Sequence, residues 1–266
     1  MERGRRVDMS SELARAFDMS NASRLQSETL ERIWQEAYGA EYAAEVVPNA
    51  FYPMSVLKKL EAILGISEGG TLVDLGCGHA GAGLWLAPRL GKKLIGIDIS
   101  EASLKLAERQ AASLGFSDRA TFVLSDMTNT GLEDGSCAAV ISLDALLYVA
   151  DKEAALREAA RILRPGGYLG ITSWEQDGYS NRLHSSQISD HRPVFKAANL
   201  KVILFEEPDA WRSQQRKVLE GAIENEQQLR QEIGEDASGF FVNMARGALQ
   251  EMAARRYVFV VGKKSG

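Results

Sequence analysis

The chain has 266 residues, a formal net charge of −5, 45% hydrophobic and 25% charged residues. This composition is ordinary for a globular protein, and the acidic balance disfavours binding to a phosphate backbone, so no nucleic-acid partner is expected. Two cysteines are too few for a disulfide framework, and neither a signal peptide nor a run of about 18 apolar residues is present. The sequence therefore predicts a cytoplasmic protein with no membrane partner.

The N-terminal section predicts a tail followed by helices. Residues 1–20 show no strong pattern and are expected to be mobile. Apolar side chains recur at helical spacing over residues 22–38, which predicts an amphipathic helix. Pro53 suits the first turn of a second helix, and Gly65 closes it. Residues 1–55 are thus predicted to form a tail and a helical cap.

From residue 71 onward, short apolar strands alternate with amphipathic helices. Strands are predicted at 71–75, 94–98, 121–125, 138–143, 168–174 and 201–206, and helices at 82–90, 101–114, 152–163 and 194–198. This alternation is typical of a parallel sheet covered by helices on both faces. We predict a doubly wound α/β core over residues 56–208.

Two further amphipathic helices are predicted in residues 209–254, between the sixth and the seventh strand. The seventh strand follows at 257–261, within a closing section of residues 255–266. No linker separates these sections from the core. The helices are therefore expected to cap the sheet, and the whole chain is expected to form one integrated domain.

A glycine-rich turn follows the first predicted strand. Gly76, Gly78 and Gly81 have the G-x-G-x-x-G spacing of a dinucleotide site. Asp74, two residues before the first glycine, argues against that cofactor, because its carboxylate would repel a pyrophosphate. The same carboxylate would favour a cationic or amine-bearing ligand. Taken alone, the turn leaves both kinds of cofactor open.

Carboxylates also follow the next three strands, as Asp98, Asp126 and Asp144. In open parallel sheets, ligands bind at the carboxyl ends of the strands near the switch point. Any one of these aspartates could simply cap the next helix, and that alternative stays open for each. Together, at successive strand ends around one glycine turn, they favour a binding site.

The chain resembles the class I S-adenosylmethionine (SAM) dependent methyltransferases over roughly residues 56–174. The strings that carry the resemblance are Val73-Asp74-Leu75-Gly76-Cys77-Gly78, Ile95-Gly96-Ile97-Asp98-Ile99-Ser100, Ser125-Asp126-Met127 and Leu163-Arg164-Pro165-Gly166-Gly167-Tyr168-Leu169. The resemblance implies a Rossmann-like, seven-stranded sheet, mostly parallel with an antiparallel last strand, and SAM as the cofactor. The two helices inserted before the last strand depart from the family's minimal pattern.

The resemblance also implies a set of cofactor-binding residues. Asp98 would accept hydrogen bonds from both ribose hydroxyls, Asp126 would accept from the adenine amino group, and Asp74 would lie near the amino group of the methionine portion. The full set is Asp74, Gly76, Cys77, Gly78, Asp98, Ile99, Asp126, Met127, Ser142 and Leu143.

The implied reaction is methyl transfer from SAM to an O, N or C atom of a small-molecule acceptor, giving S-adenosylhomocysteine. Since the methyl group is already activated, alignment of the acceptor is the main requirement, and a general base is needed only for a protonated acceptor. His184 ranks first as a base, followed by Asp144, Glu175 and His79, with Tyr148 orienting an acceptor hydroxyl. His79 could instead contact the cofactor's carboxylate or lie on the surface of the turn.

The acceptor pocket is expected among aromatic residues of the caps, although plain core packing stays open for each of them. The predicted acceptor-binding residues are Tyr38, Tyr52, Tyr148, Trp174 and His184. No metal is predicted, because His184 and His191 lack a third ligand. A homo-oligomer is compatible with the sequence. The alternatives are a SAM-binding enzyme of the same fold with a non-methylating reaction such as cyclisation, and an NAD-dependent oxidoreductase.

Overall fold

Seven strands and ten α-helices make up the described part of the computed structural model, which comprises residues 9–65, 69–177 and 188–266. The helices are α1 Met9–Gln26, α2 Glu28–Tyr38, α3 Met54–Leu64, α4 Gly81–Arg89, α5 Glu101–Ser113, α6 Lys152–Ile162, α7 His191–Ala197, α8 Trp211–Glu224, α9 Glu226–Ile233 and α10 Glu235–Glu251. The strands are β1 Thr71–Leu75, β2 Lys93–Asp98, β3 Ala120–Leu124, β4 Cys137–Leu143, β5 Leu163–Glu175, β6 Leu200–Glu206 and β7 Arg256–Lys264.

The strands form one sheet in the order β3-β2-β1-β4-β5-β7-β6. The pairs among β1 to β5 are parallel, whereas β7 is antiparallel to both β5 and β6. The predicted fold class, a doubly wound sheet with an antiparallel last strand, is confirmed. The strand order reverses between β1 and β4, and this switch point is where such sheets bind ligands.

Successive residues of the central strands pack against helices on opposite faces of the sheet, as period-two alternation requires. Leu72 belongs to the cluster that contains Leu60 of α3 and Leu86 of α4. Its neighbour Val73 belongs to the cluster on the other face, which contains Leu156 of α6. Both faces are therefore covered, which explains the almost unbroken apolar character of these strands.

The two helical sections pack against each other as well as over the sheet. Leu30 and Trp34 of α2 share a buried cluster with Val218 of α8 and Leu229 of α9. Gly221 of α8 allows a close approach, since a Cβ there would lie 2.9 Å from the Cγ2 atom of an α2 isoleucine. The caps from before β1 and before β7 are thus joined through one hydrophobic layer.

The element predictions need three corrections. Residues 9–20, predicted to be a mobile tail, belong to helix α1. The single helix predicted over residues 22–38 is interrupted at Ser27, whose hydroxyl accepts the Leu30 N–H at 3.0 Å and caps α2. The first of the two helices predicted in residues 209–254 is interrupted at Asn225, where α8 ends and α9 begins. Residues 1–8 lie outside the described residues.

Candidate active site

The glycine-rich turn connects β1 to both of its neighbours in the sheet. The N–H groups of Gly76 and Cys77 both donate to the Ile97 carbonyl oxygen of β2, at 2.8 and 3.0 Å. Gly76 has φ +72°, and a Cβ there would lie 2.3 Å from the Cβ of Ala145, just after β4. Only glycine fits this position, because both the backbone conformation and the space exclude a side chain.

Asp74 of β1 is buried against the first turn of α4. The Gly83 N–H donates to its carboxylate, and a Cβ on Gly83 would lie 2.8 Å from Oδ2. Burial raises the pKa of Asp74 to about 7, the Gly83 hydrogen bond opposes the rise, and the charge of Asp98 adds to it. A cationic ligand nearby would favour the ionised form of this carboxyl group.

Asp98 lies at the end of β2 and contacts the glycine turn directly. Its Oδ2 accepts the Gly78 N–H at 2.8 Å, and its Oδ1 accepts the Ser100 N–H at 2.9 Å. Burial raises the pKa of Asp98, these hydrogen bonds lower it, and the carboxylate of Asp18 raises it further. The half-buried Ile99 adds its own N–H to the carboxylate. The predicted ribose ligand is therefore oriented by backbone N–H groups.

Asp126, after β3, is exposed and caps its own turn. Its Oδ1 accepts the Thr128 N–H at 2.7 Å and the Thr128 hydroxyl at 2.6 Å. The alternative that stayed open, capping of the next helix, does not apply to Asp126, because no helix lies between β3 and β4. The neighbouring Met127 lies beside the glycine turn, since its Cε would be 3.1 Å from a Cβ on Gly76.

Ser142 and Leu143 close the site from β4. The Ser142 hydroxyl donates to the Leu75 carbonyl oxygen at 3.0 Å across the switch point. Ser142, Leu75 and Met127 also line a cavity of about 10 Å³, room for about one water molecule. The predicted cofactor-binding positions thus all lie at the carboxyl ends of β1 to β4.

Asp144 holds the segment before α3 against the end of β4. Its Oδ1 accepts hydrogen bonds from the hydroxyls of Thr172 and Tyr257, both at 2.7 Å, and its Oδ2 accepts the Phe51 N–H at 2.6 Å. Burial raises the pKa of Asp144, and these three hydrogen bonds lower it. The residue also has φ +56°, a left-handed conformation that is uncommon outside glycine.

Glu175, at the end of β5, is engaged by two basic side chains. Its Oε1 accepts the His191 N–H at 2.7 Å and lies 3.0 Å from His191 Nδ1, while Oε2 accepts the Arg256 Nε–H at 2.9 Å. His184, the first-ranked base, lies outside the described residues. Glu175 and Asp144 remain predictions as bases, and each is already held by hydrogen bonds from several protein groups.

In the glycine turn, the His79 side chain is buried and the Cys77 side chain is half-buried. The Nε2 of His79 lies 3.2 Å from the Val46 carbonyl oxygen, so this nitrogen carries the proton. Burial lowers the pKa of His79 and keeps the ring neutral. Burial raises the pKa of the Cys77 thiol, which favours the packing role over a nucleophilic one.

The aromatic residues predicted for the acceptor form a layer above the ends of β4 and β5. The Tyr38 hydroxyl donates to the Phe51 carbonyl oxygen at 2.7 Å. The Phe51 ring lies 6.1 Å from the Trp34 ring and 6.0 Å from the Trp174 ring. Burial, with the charges of Asp74 and Asp144, raises the pKa of Tyr52. Tyr148 is half-buried beside this layer.

Helix α1 contributes site residues that the sequence analysis missed. Asn21 donates to the Ser103 hydroxyl at 2.9 Å, and a Cβ on Gly78 would lie 3.3 Å from its Nδ2. Asp18 hydrogen-bonds to the Ser100 hydroxyl, close to Asp98. No apolar periodicity marked this helix, because it meets the site through polar side chains. α8 adds Gln214 and Gln215 to its buried face, after Trp211.

The described residues contain neither a metal-binding cluster nor a membrane-spanning helix. No cluster of three or more His, Cys, Asp or Glu side chains there is arranged to hold a metal ion. None of the helices in that part of the chain is both long and apolar enough to cross a membrane.

Comparison with known proteins gives consistent matches. Residues 73–171 match the family described as "Methyltransferase domain". Methyltransferase GfsG of Streptomyces halstedii is 33% identical over 129 residues, 47% of this chain and 46% of the relative. The 27-O-demethylrifamycin SV methyltransferase of Amycolatopsis mediterranei is 32% identical over 113 residues, 42% of each chain. The match thus spans less than half the length of these curated relatives.

Among solved structures, the [4+2]-cyclase SpnF superimposes with a TM-score of 0.67 at 22% identity. The superposition covers 79% of this chain and 80% of the cyclase. At this level of identity the likeness supports the fold alone.

Proposed function

We propose, from the match of residues 73–171 to the methyltransferase domain family, that this protein is a class I SAM-dependent methyltransferase and transfers the methyl group of SAM to a small-molecule acceptor. The acceptor atom is O, N or C, and the second product is S-adenosylhomocysteine. The observation that carries the proposal is that two carboxylates, Asp74 and Asp98, lie next to the glycine turn. Asp98 accepts the Gly78 N–H of the turn, and Asp74 lies two residues before Gly76, the first residue of the turn.

The donor set fits the cofactor. SAM presents ribose hydroxyls, an α-amino acid end and an activated methyl group on a sulfonium. A carboxylate has about four lone-pair sites, and the N–H groups of Gly78, Ser100 and Ile99 occupy three of them. Asp98 thus keeps about one site for a ribose hydroxyl, and the second hydroxyl must share an oxygen with a backbone N–H group. Gly76 leaves the backbone open for the methionine portion, with Ser142 and Leu143 on its other side. Asp126 and Met127 are proposed to contact the adenine.

The acceptor is proposed to be small and partly apolar. Support comes from the aromatic layer above β4 and β5. The residues predicted to bind the acceptor lie in this layer or next to it: Tyr38, Tyr52, Tyr148 and Trp174. The name of the Amycolatopsis relative also indicates an acceptor that is a demethylated small molecule. Gln214 and Gln215 lie on the same buried helix face as Trp211, which packs in that layer. Their amides would provide polar contacts to the acceptor.

The protein's own contribution to catalysis is proposed to be alignment and exclusion of water. Holding an acceptor in line with the methyl group can lower the barrier by roughly 7–11 kcal/mol in favourable cases. Asp144 positions Phe51 over the site through the hydrogen bond to its N–H. His184 and Asp144 remain the proposed groups for removing a proton where the acceptor carries one, and Tyr148 is proposed to orient an acceptor hydroxyl.

A cytoplasmic location is proposed for this protein, with no nucleic-acid partner and with a homo-oligomer as a possible assembly. Cys77 and Cys137 are both free thiols in the structure, which suits a reducing compartment. The net charge of −5 supports the absence of a nucleic-acid partner.

The test is incubation of the protein with SAM that carries a labelled methyl group, in the presence of a small-metabolite extract. We expect a product that has gained one labelled methyl, together with an equal amount of S-adenosylhomocysteine. A product without label that forms only when SAM is bound would favour the second candidate, a non-methylating reaction such as cyclisation on the same fold. Calorimetric binding of NADH but not of SAM would overturn both.

A further inference from the structure

Arg24 of α1 is a buried guanidinium whose hydrogen bonds are incomplete. Its side chain is 0% exposed. Nε donates to the Pro48 carbonyl oxygen at 3.1 Å, and Nη2 donates to the Tyr42 hydroxyl at 2.9 Å and to the Glu31 carboxylate at 3.0 Å. Nη1 has no hydrogen-bond partner within the described residues. A buried charged donor without a partner is costly, so this N–H group indicates a ligand.

The position of Arg24 directs that ligand toward the glycine turn. Asn21, one helical turn earlier on α1, lies against Gly78. Arg24 binds the carbonyl oxygen of Pro48, while His79 of the turn binds the carbonyl oxygen of Val46, two residues away. The positive charge of Arg24 also contributes to the low pKa of His79, after burial. Arg24 and the glycine turn therefore hold the same short segment between them.

The protonation of the His79 ring decides which of the two side chains, His79 or Arg24, can bind a carboxylate. Its Nε2 carries the proton, because a carbonyl oxygen can only accept. In the neutral ring, Nδ1 is then an acceptor, and it too is buried without a partner in the described part of the chain. An acceptor cannot bind a carboxylate. The role of carboxylate ligand, considered for His79 from the sequence, therefore passes to Arg24, which is purely a donor.

We infer that Arg24 binds the α-carboxylate of the amino acid end of SAM through Nη1. This inference rests on the proposed function and deepens it. It places part of the cofactor site on helix α1, outside residues 73–171 that match the methyltransferase domain. The cofactor is favoured over an acceptor as the source of the carboxylate, because α1 meets the glycine turn through Asn21.

The test is a double-mutant cycle between Arg24 and the carboxylate, read by calorimetry. The probes are S-adenosylhomocysteine and its decarboxylated analogue, S-adenosyl-3-thiopropylamine, which keeps the amine. We expect the native chain to prefer S-adenosylhomocysteine at least tenfold, since a charge-assisted hydrogen bond is lost with the analogue. In Arg24→Met, that preference should fall below threefold, with the affinity for the analogue almost unchanged.

Arg89→Met is the matched control. The Arg24 guanidinium lies 4.9 Å from the centre of the Trp34 ring. Arg89 likewise lies 4.0 Å from the centre of the Trp85 ring and pairs with Glu45 at 2.9 Å, but its side chain is 38% exposed. Its replacement should leave the tenfold preference intact. If Arg24→Met does not fold, Arg24→Lys keeps the charge beside Glu31 but loses the forked donor geometry, and it should lower the preference at least threefold.

Two results would overturn the inference. One is an Arg24 variant that keeps the native preference for S-adenosylhomocysteine, which would assign Arg24 to an acceptor or to packing. The other is a native chain that binds both probes equally well. A native chain that binds neither probe would instead refute the proposed function, so the two failures are distinguishable.

Discussion

Replacement of Asp74 by asparagine should make the cofactor-free protein more stable, and increasingly so as the pH rises. The pKa of Asp74 is raised by burial from its ordinary 3.8 to about 7. Between those values the folded chain keeps a proton that the unfolded chain has released. Stability must therefore fall as pH rises from about 4 to about 7, and then level off. Asparagine keeps the shape and removes the titration.

The size of the effect follows from the shift in pKa. A shift from 3.8 to about 7, at 1.36 kcal/mol per unit, corresponds to about 4 kcal/mol of stability lost at and above pH 8. At pH 5 only about 1.5 kcal/mol of this loss is present. The stability of Asp74→Asn relative to the native chain should thus increase by about 2.5 kcal/mol between pH 5 and pH 8.

The assay is urea unfolding of both chains at several pH values between 5 and 8, without cofactor. Ser142→Ala serves as the control, because it removes a hydrogen bond from the same edge of the sheet but no titratable group. Its difference from the native chain should be the same at every pH. A difference for Asp74→Asn that does not change with pH would refute the argument that this carboxyl group is protonated by burial.

Three further predictions concern the same edge of the sheet. Asp98→Ala should weaken SAM binding at least tenfold by calorimetry while the fold is retained; unchanged affinity would contradict the ribose assignment. Gly76→Ala should destabilise the chain by at least about 2 kcal/mol more than Gly91→Ala in urea unfolding. Both glycines have positive φ, but a Cβ at Gly91 meets nothing within 4 Å, so equal losses would refute the steric argument. Asp144→Asn should lower the free energy of unfolding by about 1–3 kcal/mol in the same assay, because the new amide N–H₂ group would face a hydrogen-bond donor where a carboxylate oxygen now accepts. An unchanged unfolding midpoint would argue against the hydrogen bonds described for Asp144.

The strands and their common edge were predictable because local chemistry determines them. Aliphatic runs such as those around Leu72 and Val73 must be buried on both faces, and this requires helices on both sides. Since parallel strands end at one edge, Asp74, Asp98 and Asp144 had to meet there. The antiparallel direction of β7 came instead from the resemblance. Its position between β5 and β6 was not predicted, since no pattern within a strand determines its neighbours.

The partners of individual side chains could not be predicted, because they come from distant parts of the chain. From its place at a strand end, Glu175 was predicted to be a candidate base. In the structure, His191 and Arg256 donate hydrogen bonds to its two carboxylate oxygens. Helix α1 was missed for a related reason. Residues such as Asn21 and Arg24 are buried through hydrogen bonds, so they leave no apolar stripe of the kind that identifies a helix.

The place of β7 in the sheet has a consequence for synthesis on the ribosome. β6 pairs only with β7 in the described sheet, and β7 also covers the open edge of β5. Phe205 of β6 and Ile171 of β5 both pair with Val260 of β7. Val260 is translated only after the whole of α8 to α10, so neither pair can form before then. The nascent chain therefore carries an unpaired strand edge through that interval, and such edges are sites of aggregation. Chaperone demand should peak while the inserted helices emerge and end once β7 has left the exit tunnel.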